Sequence, residues 1–138
     1  MPAARAIELK KIRCEEVPIP KPKDGEVLVK TKLASVCGSD LHIVNMGWNA
    51  HKFPLDYGYP GHEGVGEVVD GNNTRFLPGD KVLTAPNIFQ SKTFAGYQLL
   101  TPQFLLKLPD ATPWAHSLMA QRLGTVVFSC LRLPSLLG

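Results

Sequence analysis

Glu26-Val27-Leu28-Val29-Lys30-Thr31-Lys32-Leu33-Ala34-Ser35-Val36 runs directly into Cys37-Gly38-Ser39-Asp40-Leu41-His42, and this junction decides how the chain is read. Residues 26–36 mix β-branched side chains with a period of two, Val27, Val29, Thr31 and Leu33 against Leu28, Lys30 and Lys32, which is a strand pattern. The strand delivers Cys37 at its end. Downstream, Gly61-His62-Glu63-Gly64-Val65-Gly66-Glu67 supplies an imidazole and a carboxylate from a second, glycine-rich turn. A soft thiolate, an imidazole and a carboxylate form a donor set that a divalent zinc prefers, so Cys37, His62 and Glu63 are the candidate metal ligands. The thiolate and the carboxylate neutralise the two charges of the ion, and the histidine adds a neutral nitrogen. Three protein ligands leave one position for water or substrate, which is the pattern of a catalytic site.

Outward from this junction the chain reads as short strands and turns. Residues 6–17 read as a hairpin arm, and Pro18, Pro20 and Pro22 then force non-helical backbone up to a turn at Asp24-Gly25. Residues 39–44 predict a short helical turn capped by Ser39 or Asp40. Residues 45–60, with Gly47, Trp48, Phe53, Pro54, Tyr57 and Pro60, show no periodicity and read as a loop that walls a pocket, with Trp48 and, further on, Phe89 as candidate pocket walls. Strands are expected at 64–70, 81–85, 94–100 and 104–109, separated by turns at 71–73 and 76–80. This spacing argues for a barrel or sandwich. Thr112 as N-cap with Pro113 at the first helical position predicts a C-terminal helix over 114–131, broken near Gly124.

Composition limits the alternatives. The chain of 138 residues, 44% apolar, fits one domain with one core, and 12 Gly with 12 Pro favour a β-rich fold over a helical bundle. The net charge of +3 is scattered, with no basic run interleaved with aromatics, so no nucleic-acid partner is expected. The three cysteines, Cys14, Cys37 and Cys130, lie far apart and make no disulfide framework, which implies a reducing compartment. No stretch is apolar enough for a signal segment or a membrane span, so a cytoplasmic protein without a membrane partner is expected. Gly64-x-Gly66 is not a dinucleotide fingerprint: Val69 stands where the third glycine belongs, and the glycines precede a strand instead of opening a helix. They are expected to permit close backbone packing beside the ligands.

The paired motifs Cys-Gly-Ser-Asp-x-His at 37–42 and Gly-His-Glu-Gly-x-Gly-Glu at 61–67 resemble those of the zinc-dependent medium-chain alcohol and polyol dehydrogenases, in their N-terminal GroES-like catalytic domain. The resemblance runs from about Ala6 to Leu133. It implies a mainly β, GroES-like, partly open barrel with short helices and a C-terminal helix, forming a single catalytic domain over 1–138. On this reading residues 113–138 begin the helical linker toward a nucleotide-binding domain that the chain lacks. It also implies zinc as cofactor, a small alcohol or polyol as substrate, and NAD(P) bound only by the full-length parent enzyme. Asp40 matches the acid that orients the zinc-bound imidazole, His62. Ser39 and His42 match the relay that carries the alcohol proton to solvent.

One position departs from the pattern. Where the family has Glu, or Cys, at the start of a segment resembling Glu-Pro-Leu-x-Val-x-x-His-Ala, this chain has Gln121-Arg122-Leu123-Gly124-Thr125-Val126. An amide oxygen is a weaker zinc donor than a thiolate or carboxylate, so Gln121 or water is left to complete the shell. Cys130 cannot substitute, because nine residues further along a helix it lies on the opposite face from Gln121. Cys14 is expected to pack within its strand. Residues 79–94 contain no cysteine, so a second, structural zinc is not expected.

The expected role is thus the substrate- and zinc-binding part of an NAD(P)-dependent alcohol or polyol dehydrogenase, inactive alone. Two rivals remain: a non-catalytic interaction module, self-associating through the face left by the missing domain, and a zinc-free reductase relative.

Overall fold

A computed structural model of the chain describes residues 1–48, 50, 52–85, 90 and 92–133. Strand β1 (Pro2–Glu8) and strand β2 (Lys11–Glu16) form an antiparallel hairpin that turns at Lys10, whose φ is 61°. Strand β3 (Val27–Ser35) opens a second, five-stranded antiparallel sheet with β4 (Glu63–Asp70), β5 (Lys81–Thr84), β6 (Tyr97–Leu100) and β7 (Leu105–Lys107). Its order is β6-β3-β4-β5-β7. The two sheets meet through the antiparallel bridge of Ala3 to Ala95. This is the expected mainly β, partly open arrangement, without closure into a complete barrel.

Two apolar clusters hold it together. Val27, Val29, Val68, Phe76, Val82, Leu100 and Leu105 are buried against one another on one face of the large sheet. The alternation read in β3 matches its burial only in part, since Val27, Leu28 and Val29 are all buried and Leu33 is 40% exposed. The second cluster joins Ala6 of β1 to Ile43, Val44, Leu55 and Tyr59. Residues 45–60 therefore do more than edge a pocket: Leu55 and Tyr59 from that segment are core. Among the described residues no helix is long and apolar enough to cross a membrane.

The helices differ from expectation at their starts. Helix α1 (Gly38–Met46) is capped by Cys37, and Asp40 sits at the third helical position, where its Oδ2 accepts the Cys37 N–H at 2.8 Å. That residue order reverses the expected cap, because a carboxylate at the third position can reach back to a free backbone N–H. Gly47, at φ 72°, ends the helix in the left-handed conformation that glycine tolerates. Helix α2 (Trp114–Arg132) begins after Pro113, not Thr112, and runs unbroken through Gly124. A single glycine costs only about 1 kcal/mol in a helix interior, which neighbouring turns absorb. The Thr112 carbonyl instead accepts from Lys81 Nζ, whose ammonium lies 4.2 Å from the Trp114 ring centre. Cys14, expected to pack, is exposed on β2.

Candidate metal centre

The register of two strands creates the site. The last residue pair of β3 with β4 is Ser35 opposite Glu63. Cys37, two residues beyond Ser35, and His62, one residue before Glu63, therefore leave the same end of the sheet together. Gly64 and Gly66 make this pairing possible. A Cβ on Gly64 would lie 2.6 Å from Thr93 Cγ2, and one on Gly66 would lie 2.5 Å from both the Lys30 carbonyl oxygen and Val29 Cγ1. The close-packing role read for these glycines holds.

Cys37, His62 and Glu63 each offer one donor atom, and those atoms all lie within 4.8 Å of one another. Donors about 2.0–2.3 Å from a tetrahedral zinc sit somewhat closer together than that, so a small inward movement closes the shell. Gln121 reaches the cluster from α2, one turn after the buried Ser117. Its Nε2 donates to the His62 carbonyl at 3.4 Å, and its buried Oε1 has no hydrogen-bond partner among the described residues. A buried acceptor left without a donor, on a side chain that touches the backbone of a candidate ligand, suits a cation. The donor chemistry and this orphaned oxygen fit zinc, with Cys37, His62 and Glu63 as the residues that would hold it and Gln121 available as a fourth donor.

The surrounding groups set the charges. Asp40 is 2% exposed, and its Oδ1 lies 2.8 Å from His62 Nδ1. The Nδ1–H faces both Asp40 Oδ1 and, at 3.1 Å, the Pro60 carbonyl, and Asp40, the closer and charged partner, acts on the ring chiefly by hydrogen bonding. Together Asp40 and the Pro60 carbonyl raise the His62 pKa from 6.5 to about 9, against the effect of burial. With Nδ1 engaged there, Nε2 is the nitrogen turned toward the centre, 3.2 Å from Ser39 Oγ. Hydrogen bonding from Ser39, and from His62, lowers the Cys37 thiol pKa although burial and the Glu63 charge oppose it. Glu63 is buried, which disfavours its charge, yet the Ser35 hydroxyl and the Arg122 guanidinium outweigh this and lower its pKa. The Ser35 hydroxyl donates to Glu63 Oε2 at 2.5 Å, and Arg122 Nε and Nη2 stand 2.9 and 2.8 Å from that oxygen.

Not every residue singled out in the sequence joins the cluster. His42 is exposed on α1 and makes no hydrogen bond to Ser39 among the described residues; Ser39 contacts His62 instead. Trp48 is 50% exposed just beyond the end of α1. Phe89 lies outside the described residues. A cavity of about 770 Å³ bordered by Glu16, Pro18, Tyr57, Tyr97, Gln98 and Thr101 includes none of the candidate ligands. Sequence reasoning missed Ser35 and Arg122. Ser35 is the last residue of β3, two before Cys37 and paired with Glu63, so its nearness to Cys37 in the chain was a usable signal. Arg122 carried none, since only the docking of α2 brings it to Glu63.

Known proteins share the fold and the family of this domain. The model of the alcohol dehydrogenase GroES-like domain matches residues 23–110. The chain is 42% identical over 123 residues to a 5-exo-hydroxycamphor dehydrogenase of Pseudomonas putida, covering 83% of this chain and 30% of that protein. It is 43% identical over 70 residues to an alcohol dehydrogenase of Rhizobium meliloti, covering 49% of this chain and 20% of that one. The fold superposes on the crystal structure of a 2R,3R-butanediol dehydrogenase of Bacillus subtilis with a TM-score of 0.81 and 23% identity, covering 97% of this chain and 48% of that one. The chain thus spans less than half the length of each of these proteins.

Proposed function

Because the chain belongs to the alcohol dehydrogenase GroES-like domain family, we propose that it is the zinc- and substrate-binding domain of an NAD(P)-dependent alcohol or polyol dehydrogenase. The observation that carries this reading is the convergence of Cys37, His62 and Glu63 beside the unpartnered Gln121 oxygen. Zinc held there would supply Lewis acidity to an alcohol or carbonyl oxygen. Asp40 fixes the tautomer and angle of His62, as outer-shell acids do for metal-bound imidazoles. Ser39, within reach of the centre, and His42, one turn on and exposed, form the inner and outer ends of a proton path to solvent.

The hydride acceptor, in this proposal, is bound by a nucleotide-binding module outside these 138 residues. In support, Gly64 and Gly66 lie inside β4 and not at the start of a helix, so they offer no helix N-terminus to a pyrophosphate. The domain by itself is expected to bind metal and not to oxidise alcohols with NAD or NADP. The test is metal content after purification without chelator, wild type against Cys37→Ser. A Cys37-dependent zinc is expected; equal content in the two proteins removes Cys37 from the site.

A second reading, an interaction module, is favoured by α2. Leu123 is 63% exposed, Val126 59%, Phe128 58% and Leu131 79%, an apolar surface on the C-terminal half of a helix whose buried contact, Ser117, lies in its N-terminal half. Sedimentation of wild type against a Val126→Glu, Leu133→Glu double variant tests it. Concentration-dependent self-association that the double variant lacks is the expected result, and a wild type that stays monomeric at every concentration rejects it.

A further inference from the structure

The guanidinium of Arg122 places a permanent positive charge against one of the candidate ligands. Nε and Nη2 both stand within 2.9 Å of Glu63 Oε2, and Nη2 also donates to the Val36 carbonyl at 3.1 Å. Ser35 Oγ donates to that same carboxylate oxygen at 2.5 Å. The Ser35 and Arg122 hydrogen bonds to the Glu63 carboxylate therefore all fall on Oε2. Arg122 thus ties three segments together without a metal: α2, the end of β3 just before Cys37, and the start of β4 just after His62.

A divalent cation and this guanidinium call on one carboxylate. With Gln121 neutral, the ligand set carries at most two negative charges, from Cys37 and Glu63, and Arg122 offsets one of them. The guanidinium withdraws charge from Glu63 and repels a second cation placed on its other oxygen. Some of this repulsion is screened, since the Arg122 side chain is 42% exposed.

We propose that Arg122 is a resident cation of the centre: it holds the ligand cluster assembled when no metal is bound, and by doing so weakens the binding of a divalent ion. The inference rests on the metal reading above and adds a residue that sets how readily the site fills. Occupancy then depends on the supply of metal, and the empty site is kept in shape by an ion pair.

The full 138-residue chain tests this, with zinc affinity measured against a chromophoric chelator and cobalt followed by its thiolate charge-transfer band. Arg122→Met keeps the aliphatic stem and removes the charge. It is expected to melt at a lower temperature than wild type without metal, to bind zinc at least about tenfold more tightly, and so to show the larger upward shift in melting temperature when zinc is added. Arg122→Lys keeps the charge and should stay within about threefold of wild-type affinity. Zinc affinity in Arg122→Met equal to or below that of wild type overturns the proposal, and so does Arg122→Lys matching Arg122→Met. A failure of the metal reading looks different: Cys37→Ser would then leave zinc affinity and the cobalt band unchanged whichever residue stands at 122.

Discussion

Asp40 faces His62 with one oxygen, Oδ1 at 2.8 Å from Nδ1, and holds the Cys37 N–H with the other at 2.8 Å. One buried carboxylate therefore caps the helix that begins after one candidate ligand and aims the ring of a second. Helix capping and imidazole orientation, both readable as roles for Asp40 in the sequence, are simultaneous.

Asp40→Asn keeps the shape and removes the charge, and an amide offers only one oxygen to two donors. Zinc affinity is expected to fall by about 10- to 100-fold, the usual cost of losing an outer-shell partner. The chain should also lose about 1–3 kcal/mol of stability in urea denaturation, because one buried donor is left unmatched. Unchanged affinity would mean that the Pro60 carbonyl alone orients the ring.

Gln121→Glu places a carboxylate where the unpartnered amide oxygen lies. Zinc should bind at least about tenfold more tightly, since a charged oxygen is the better donor and one more negative charge faces the ion. Isothermal titration measures it. Weaker binding would show that the side chain at 121 does not face the ion.

Gly66→Ala should cost about 1–3 kcal/mol, because its Cβ would meet the Lys30 carbonyl and Val29 at 2.5 Å, where β3 and β4 pair. Gly38→Ala is the control. A Cβ there meets nothing within 4 Å at the start of α1, so stability should rise by about 0.4–1 kcal/mol. Equal effects of the two substitutions in thermal denaturation would contradict the packing account of the glycines.

Asp80 accepts the Leu77 N–H at 2.9 Å and the Lys107 ammonium at 2.5 Å, and these, the first most, lower its pKa below 3.8 against the effect of burial. A carboxyl depressed by folding contributes stability above its unfolded pKa and loses it as pH falls through the folded one. Stability should therefore decline as pH drops below about 4, and Asp80→Asn should flatten that decline while lowering stability at pH 7. Denaturation curves from pH 2 to 7 test the sign; an identical acid limb in the variant would exclude the residue.

The sequence alone carried the strand, read over 26–36 and observed at Val27–Ser35, the turns, the two closely packed glycines, and the trio Cys37, His62 and Glu63 as candidate ligands. Each is a local signal: alternation, turn chemistry, or a donor type fixed by its own side chain. The helix starts were less legible, because Cys37 caps α1 only by virtue of a carboxylate three residues later, and Pro113, not Thr112, precedes α2. Tertiary structure alone decided who surrounds the trio. Ser35 meets Glu63 because of strand register, and Arg122 meets it because α2 docks across the end of the sheet, 59 residues away along the chain. Such contacts depend on how distant elements pack, and neither periodicity nor spacing encodes that, so the charge balance of the centre could be read only after folding.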